Sequence, residues 1–222
     1  PLYRINAFAH VNHSENFARL GILLCINGTG ILNSWLRKNI AGGKDYTRMN
    51  DEAMKIPAGS DGLMIVPFGN GAERMLQNRE TGCQVVGLNY NKHAQSHLFR
   101  AAQEGIAFAF RYGMEAMNEA GINPKVIRAG NANLFLSPVF RQVLADITGI
   151  CIDLYETDGS TGAAMGAATG EGYFSGFSEA CAKMKKIKVI EPSGERSSSL
   201  EAYGRWKSHL DIILNTKQEI QF

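Results

Sequence analysis

The 222-residue sequence predicts an α/β layered domain, and three observations carry that reading. Short apolar runs of strand character alternate with long helical periodicities, the pattern of helices laid on a sheet. Glycine is in excess, 24 against 6 prolines, which favours tight turns and close backbone approach to ligands over linkers. Hydrophobic residues at 45% and charged residues at 20% give an ordinary globular balance. The same numbers exclude several classes. A formal charge of +2 leaves no excess for a nucleic-acid groove or an anionic membrane surface. No apolar run approaches the roughly 18–20 residues of a membrane span, and there is neither a secretory signal nor a repeat with a period of about 20–50 residues. A cytoplasmic protein with no nucleic-acid and no membrane partner is expected. Cys25, Cys83, Cys151 and Cys181 form no CxxC pair and read as buried, reduced thiols.

The chain opens at Pro1, without Met, on an apolar stretch from Tyr3 to Phe8, so it reads as a piece of something longer. Between Phe17 and Asn39, Leu20, Leu23, Leu24, Ile31, Leu32, Trp35 and Leu36 approximate a helix, interrupted at Asn27-Gly28-Thr29-Gly30 and closed by Gly42-Gly43. Asp51 to Lys55 is a second short helix, stopped by Pro57. Gly62 to Pro67 is an apolar run between Gly and Pro, a buried strand. From Asn91 to Ala120, Leu98, Ala102, Ile106, Ala109, Gly113 and Met117 recur at three- and four-residue steps, and Gly121 ends this strongest helix. A strand from Lys125 to Arg128, a loop from Ala129 to Asn133 and a helix from Ser137 to Thr148 follow. Ile152 to Tyr155 is a strand, Gly162 to Tyr173 a helix of small residues, and Lys183 to Glu191 a basic edge segment. Ser197 to Lys217 closes the chain as an amphipathic helix with Leu200, Tyr203, Trp206, Leu210, Ile213 and Leu214 on one side. The sheet is small for so many helices, which points to strands missing upstream.

Three segments could carry chemistry. The turn Gly130-Asn131-Ala132-Asn133 lies between a strand and a helix, where backbone N–H groups seat phosphate and Asn side chains can hydrogen-bond a purine or ribose. It could equally be an ordinary strand-to-helix turn. Asn27-Gly28-Thr29-Gly30 places two glycines inside an apolar helical stretch at a cost of about 1 kcal/mol each, so either a ligand or a neighbouring backbone passes close. It matches neither the P-loop nor the dinucleotide fingerprint. In Asp158 to Ala168, Ser160 or Thr161 can cap a helix whose small residues pack closely. His93 and His97 have the spacing of two metal ligands but lack a third and read as surface histidines. His10 and His13 have no nucleophile pattern beside them. Glu73-Arg74 reads as a solvated loop pair, and Lys183 to Lys188 as a solvated face.

Taken in order, these segments resemble the C-terminal half of an FGGY-type carbohydrate kinase, most nearly those of the xylulokinase branch. The resemblance rests on His10 followed by Trp35-Leu36-Arg37, and on Pro67 to Arg74, similar to P-[YF]-x-x-G-E-R with one extra residue before Glu73. Gly87-Leu88 and then Arg100-Ala101-Ala102-Gln103-Glu104-Gly105-Ile106-Ala107-Phe108 follow. Phe140 to Asp146 is similar to W-R-Q-x-L-A-D, and Gly162 to Ala168 to G-A-A-x-G-A-A. The resemblance implies a ribonuclease-H-like domain of the actin/hexokinase type, covering residues 1–222, the C-terminal nucleotide-binding half of a two-domain kinase whose N-terminal sugar-binding domain is not in this chain. It implies ATP and Mg²⁺ as cofactors and a small sugar, D-xylulose, as substrate, with another ketose, a polyol or an aldonate as the alternative, or a non-catalytic nucleotide-binding module of the same fold. It maps the nucleotide onto Gly28, Thr29, Gly30, Asn33, Gly130, Asn131, Ala132 and Asn133. The family loop G-G-[GA]-[AS]-[KR]-S is shorter than the one here. The family's general base, an Asp in G-D-x-x-A-G-x-x-G, has no counterpart in the chain, so no catalytic or metal residue is assigned and the piece alone is expected to be inactive. A homodimer through the last helix and Trp206 is the rival to an intramolecular lid, which is preferred.

Overall fold

The computed structural model describes residues 4–10 and 12–216, and along them short strands alternate with helices. Tyr3 and Lys217, at the ends of two expected segments, lie outside the described residues. The strands fall into three small sheets. Strands β1 (Asn6–Ala9) and β2 (Leu20–Leu23) form an antiparallel hairpin. Strands β3 (Met64–Phe68) and β4 (Gly82–Val86) form a second antiparallel pair. Strand β5 (Ile127–Gly130) runs parallel to β6 (Ile152–Tyr155), and β7 (Lys186–Ile190) lies antiparallel on the other side of β6. The basic segment is therefore an edge strand, as expected, and its exposed lysines suit that position.

The stretch before Asn27 is not helical. Leu20 and Leu23 are the same apolar residues that suggested a helix, but they pair across to Ala9 and Asn6 instead. A run this short satisfies either period, and the cross-strand partner decides. The helix proper is α1 (Thr29–Asn39). Helix α2 (Tyr46–Met54) begins earlier than expected because Asp45 caps it, accepting from Arg48 N at 2.9 Å.

Helix α3 (Gln95–Glu119) is the spine. Its residues Phe99, Ala102, Ile106 and Phe108 are buried against β3, α2 and α4 (Pro138–Thr148). At Gly105 a Cβ would stand 2.1 Å from the Ile65 carbonyl oxygen, so only glycine lets α3 lie this close to β3. Helix α7 (Ser197–Thr216) closes the same core. Trp206 is fully buried and donates from Nε1 to Ile65 O at 2.9 Å, so this side chain belongs to the intramolecular core. Tyr203, Leu210 and Ile213 are buried beside it, whereas Leu200 is exposed.

The longest departure from ordinary backbone among the described residues lies before β3. Gly59, Ser60, Asp61 and Gly62 all have positive φ, at 84°, 49°, 55° and 96°. Single left-handed residues are common, but four in sequence need external support. Glu104 on α3 supplies it. Its buried carboxylate accepts from Gly59 N at 2.9 Å and Ser60 Oγ at 2.8 Å, and its charge is balanced by Arg100 Nε at 2.8 Å.

Candidate functional site

Helix α1 has Gly28 at its N-cap position and therefore no side-chain cap. Its position is set instead from 45 residues away. The Glu73 carboxylate accepts from Asn27 N at 3.0 Å and from Gly28 N at 3.1 Å. Asn27 Nδ2 donates to Ala72 O at 3.0 Å and Asn70 Nδ2 to Asn27 O at 3.2 Å, fastening the two loops along their length. Glu73 is 0% exposed, so it is not the solvated residue that its neighbourhood of glycines suggested. Burial pushes its carboxyl above the usual range, against the two backbone N–H groups that pull it down. Gly28 is required by contact. A Cβ there would stand 1.8 Å from the Pro67 carbonyl oxygen. Of the two readings open for this glycine, the structure shows the close-passing backbone.

The facing wall is built by β5 and the residues after it. Gly130 ends the strand where a Cβ would stand 2.3 Å from Thr157 O, and Asn131 N donates to Tyr155 O at 2.8 Å. Asn133 is left-handed (φ 52°), a conformation Asn tolerates, and opens a 3-10 turn over Asn133–Leu136. Ser137 then caps α4, accepting from Phe140 N at 3.3 Å.

A third element enters from β6. Helix α5 (Gly159–Gly170) starts three residues earlier than expected. Its cap is Asp158, which accepts from Thr161 N at 2.8 Å, and not Ser160 or Thr161. These backbone bonds hold the Asp158 carboxyl below its usual range. None of the α5 residues is buried, so its small side chains do not pack as a close helix interface. A short helix, α6 (Phe177–Ala182), follows without having been foreseen.

The three elements enclose a cavity of about 870 Å³, within the range of small-molecule sites. Thr29, Gly30 and Asn33 of α1 line it, together with Gly130, Ala132 and Asn133. Six of the eight expected residues, from loops 100 positions apart, are thus brought to one space. Gly28 lies off it, on the lining of a separate apolar groove, and Asn131 is also off it. Gly30 and Gly159 have nothing within 4 Å of where a Cβ would stand, so both present bare backbone to the cavity. The sequence reading missed Tyr46, Thr47 and Asn50 of α2, and the apolar group Leu134, Phe135 and Leu136. Nothing local distinguishes the α2 residues from any polar helix face. Arg128 and Asp158 are the charged residues of the lining.

The remaining candidates resolve elsewhere. His97 is buried, not superficial. Its Nδ1 accepts from Ala94 N at 3.0 Å, and Nε2 lies 3.2 Å from Asp61 Oδ2. Among the described residues no three His, Cys, Asp or Glu side chains are grouped as a metal site. All four cysteines are free and belong to exposed residues, which corrects the expectation of buried thiols. No helix of the described residues is long and apolar enough to cross a membrane.

Residues 18–171 match the FGGY family of carbohydrate kinases, C-terminal domain, and the chain belongs to that family. It is 29% identical over 176 residues to a xylulose kinase of Haemophilus influenzae, covering 76% of this chain and 35% of that protein. To a glycerol kinase of Alkaliphilus metalliredigens it is 29% identical over 196 residues, covering 86% and 38%. Among solved structures, the ligand-bound xylulose kinase of Lactobacillus acidophilus superposes with a TM-score of 0.74 at 20% identity, over 94% of this chain and 45% of that one. The glycerol kinase of Plasmodium falciparum with ADP gives 0.75 at 21% identity, over 95% and 42%. The fold is that of the actin/hexokinase-type sugar kinases, and the chain corresponds to the C-terminal half. It spans 35% of the length of the xylulose kinases of Haemophilus influenzae and Bacillus subtilis.

Proposed function

We propose that this chain is the nucleotide-binding half of an ATP-dependent sugar kinase, and that the complete gene product phosphorylates D-xylulose. The observation that carries the reading is the cavity, which unites two glycine-bearing turns from distant parts of the sequence. Its lining carries two kinds of surface, as a nucleotide site requires. Bare backbone at Gly30 and Gly159, at the starts of α1 and α5, suits a polyphosphate, because helix N-termini offer N–H donors and a positive dipole end. Leu134, Phe135 and Leu136 offer an apolar face for a base, and Asn33, Asn50 and Asn133 offer amides for ribose and base.

ATP would supply the phosphoryl group, and the residues here would hold and orient it. Glu73 keeps the start of α1 in place, and Asp158 keeps the start of α5 in place. Asp158 is the cavity's carboxylate and its oxygen is engaged with Thr161 N, so the donor set fits a magnesium ion held mainly by phosphates and water. Positioning and charge stabilisation make up most of phosphoryl-transfer catalysis, and a base that orients the sugar hydroxyl completes it. That base and the sugar-reading residues are assigned to the N-terminal domain, so the piece alone is expected to bind nucleotide weakly and transfer nothing.

The glycerol kinase relatives and the gluconate kinase of Lactobacillus acidophilus among the structural neighbours keep a polyol or an aldonate as the second reading. The test is ADP release by the complete gene product with Mg-ATP and a panel of D-xylulose, ribulose, glycerol and gluconate. Turnover on D-xylulose alone supports the proposal. Turnover on another member transfers the assignment to it, and binding of ADP without any turnover supports a non-catalytic module.

A further inference from the structure

Behind the cavity lies a buried polar relay that the reading above does not use. Gln103, on α3, is 0% exposed. Ser137 Oγ accepts the Phe140 N–H and gives its own hydrogen to Gln103 Oε1. Gln103 Nε2 must face the other way, and it donates to Asn50 Oδ1 at 2.9 Å. With its oxygen engaged, Asn50 has only Nδ2 left to offer. That group meets no protein acceptor among the described residues, and Asn50 lines the cavity. The hydrogen bonds therefore run head to tail, from the first turn of α4 through α3 to α2, and end on a donor at the ligand space.

We propose that Gln103 is a positioning residue which locks the Asn50 amide with its N–H₂ toward the cavity, so that the α2 wall selects a hydrogen-bond acceptor at the nucleoside end of the ligand. The nucleoside end is assigned because Ser137, which starts the relay, directly follows the apolar residues Leu134, Phe135 and Leu136, whereas the bare glycines lie at the helix starts. This rests on the nucleotide reading and sharpens it. A buried relay matters for selectivity because a wrong ligand group meets an amide that cannot turn over without breaking the Gln103 bond. A site built around a fixed hydrogen bond discriminates far better than an apolar pocket.

Two chemically different substitutions should give the same phenotype. Asn50→Asp replaces the donor with a second acceptor. Gln103→Glu has two acceptor oxygens, so Asn50 turns its N–H₂ inward to Glu and shows its oxygen to the cavity. Calorimetric titration of the complete gene product with ATP, adenosine and inorganic tripolyphosphate reads the effect. Each variant is expected to bind ATP and adenosine about tenfold more weakly, with tripolyphosphate affinity unchanged. If Gln103→Glu does not fold, Asn50→Asp, at a half-buried position, carries the test alone. Unchanged ATP affinity in Asn50→Asp would overturn the inference, as would an equal loss for tripolyphosphate. A folded wild-type protein that binds none of the three probes would overturn the nucleotide reading itself, a distinguishable result.

Discussion

Helices α1 and α5 both begin at the cavity, yet their starts are held in opposite ways. Helix α5 is capped from within, by Asp158 reaching three residues along its own chain at an exposed position. Helix α1 has no cap of its own and is held by a fully buried carboxylate 45 residues downstream, with Gly28 wedged against the Pro67 carbonyl. The contrast separates two kinds of precision. A local cap fixes where a helix begins along the chain. A distant clamp fixes where that beginning sits in space, and it couples the site to the loop between β3 and β4.

The largest effect should come from filling the contact at Gly28. Gly28→Ala drives a methyl group into backbone, and denaturant unfolding should show a loss of about 3 kcal/mol. The same change two residues on, Gly30→Ala, meets open space and should leave stability unchanged or raise it, which isolates the contact as the cause. Removing the clamp comes next. Glu73→Ala leaves the Asn27 N–H and the buried Gly28 N–H without their acceptor and should cost about 1–3 kcal/mol, with faster hydrogen exchange at Asn27 and Gly28. If the exchange stays slow, Glu73 is not what holds α1.

The two carboxylates should also titrate with opposite sign. Glu73 is raised above its ordinary value of 4.5, so its contribution is complete below that pH and is lost as pH rises through the raised value. Acidification from neutral toward 4.5 should therefore favour the wild type relative to Glu73→Gln. Asp158 is lowered from 3.8, so its contribution is present above that pH and fades as pH falls through the lowered value. Asp158→Asn should lose part of the wild-type advantage at neutral pH and converge with the wild type in strong acid. The exposed cap should give the smallest melting-temperature change of the series, and a shift as large as that of Glu73→Ala would erase the distinction between local cap and distant clamp.

The same contrast explains what could be read from the sequence. Elements whose cause is local are legible: α3 by its periodicity, α4 as a helix from Ser137, the turn at Gly130 by its neighbours. Leu20 to Leu23 misleads because three apolar side chains in a four-residue run carry no period, and the deciding partner, Asn6–Ala9, lies across a loop. Glu73 looked solvated because its local composition is that of a loop, and only the fold brings Asn27 to it. The two cavity loops were found from glycine spacing, yet the α2 wall was not. Asn50 differs from any exposed helical Asn only through Gln103, 53 residues away.

Gln103 and Glu104 are neighbours on α3, and successive side chains leave a helix about 100° apart. One serves the relay to Asn50, and the other supports the left-handed turn at Gly59 to Gly62. A substitution at either position disturbs one neighbourhood and spares the other. An inserted or deleted residue earlier in α3 would swing both groups round together, breaking the turn and misaiming the amide in one step. Across descendants of this sequence, α3 is free to drift in composition on its outer face, but not in length.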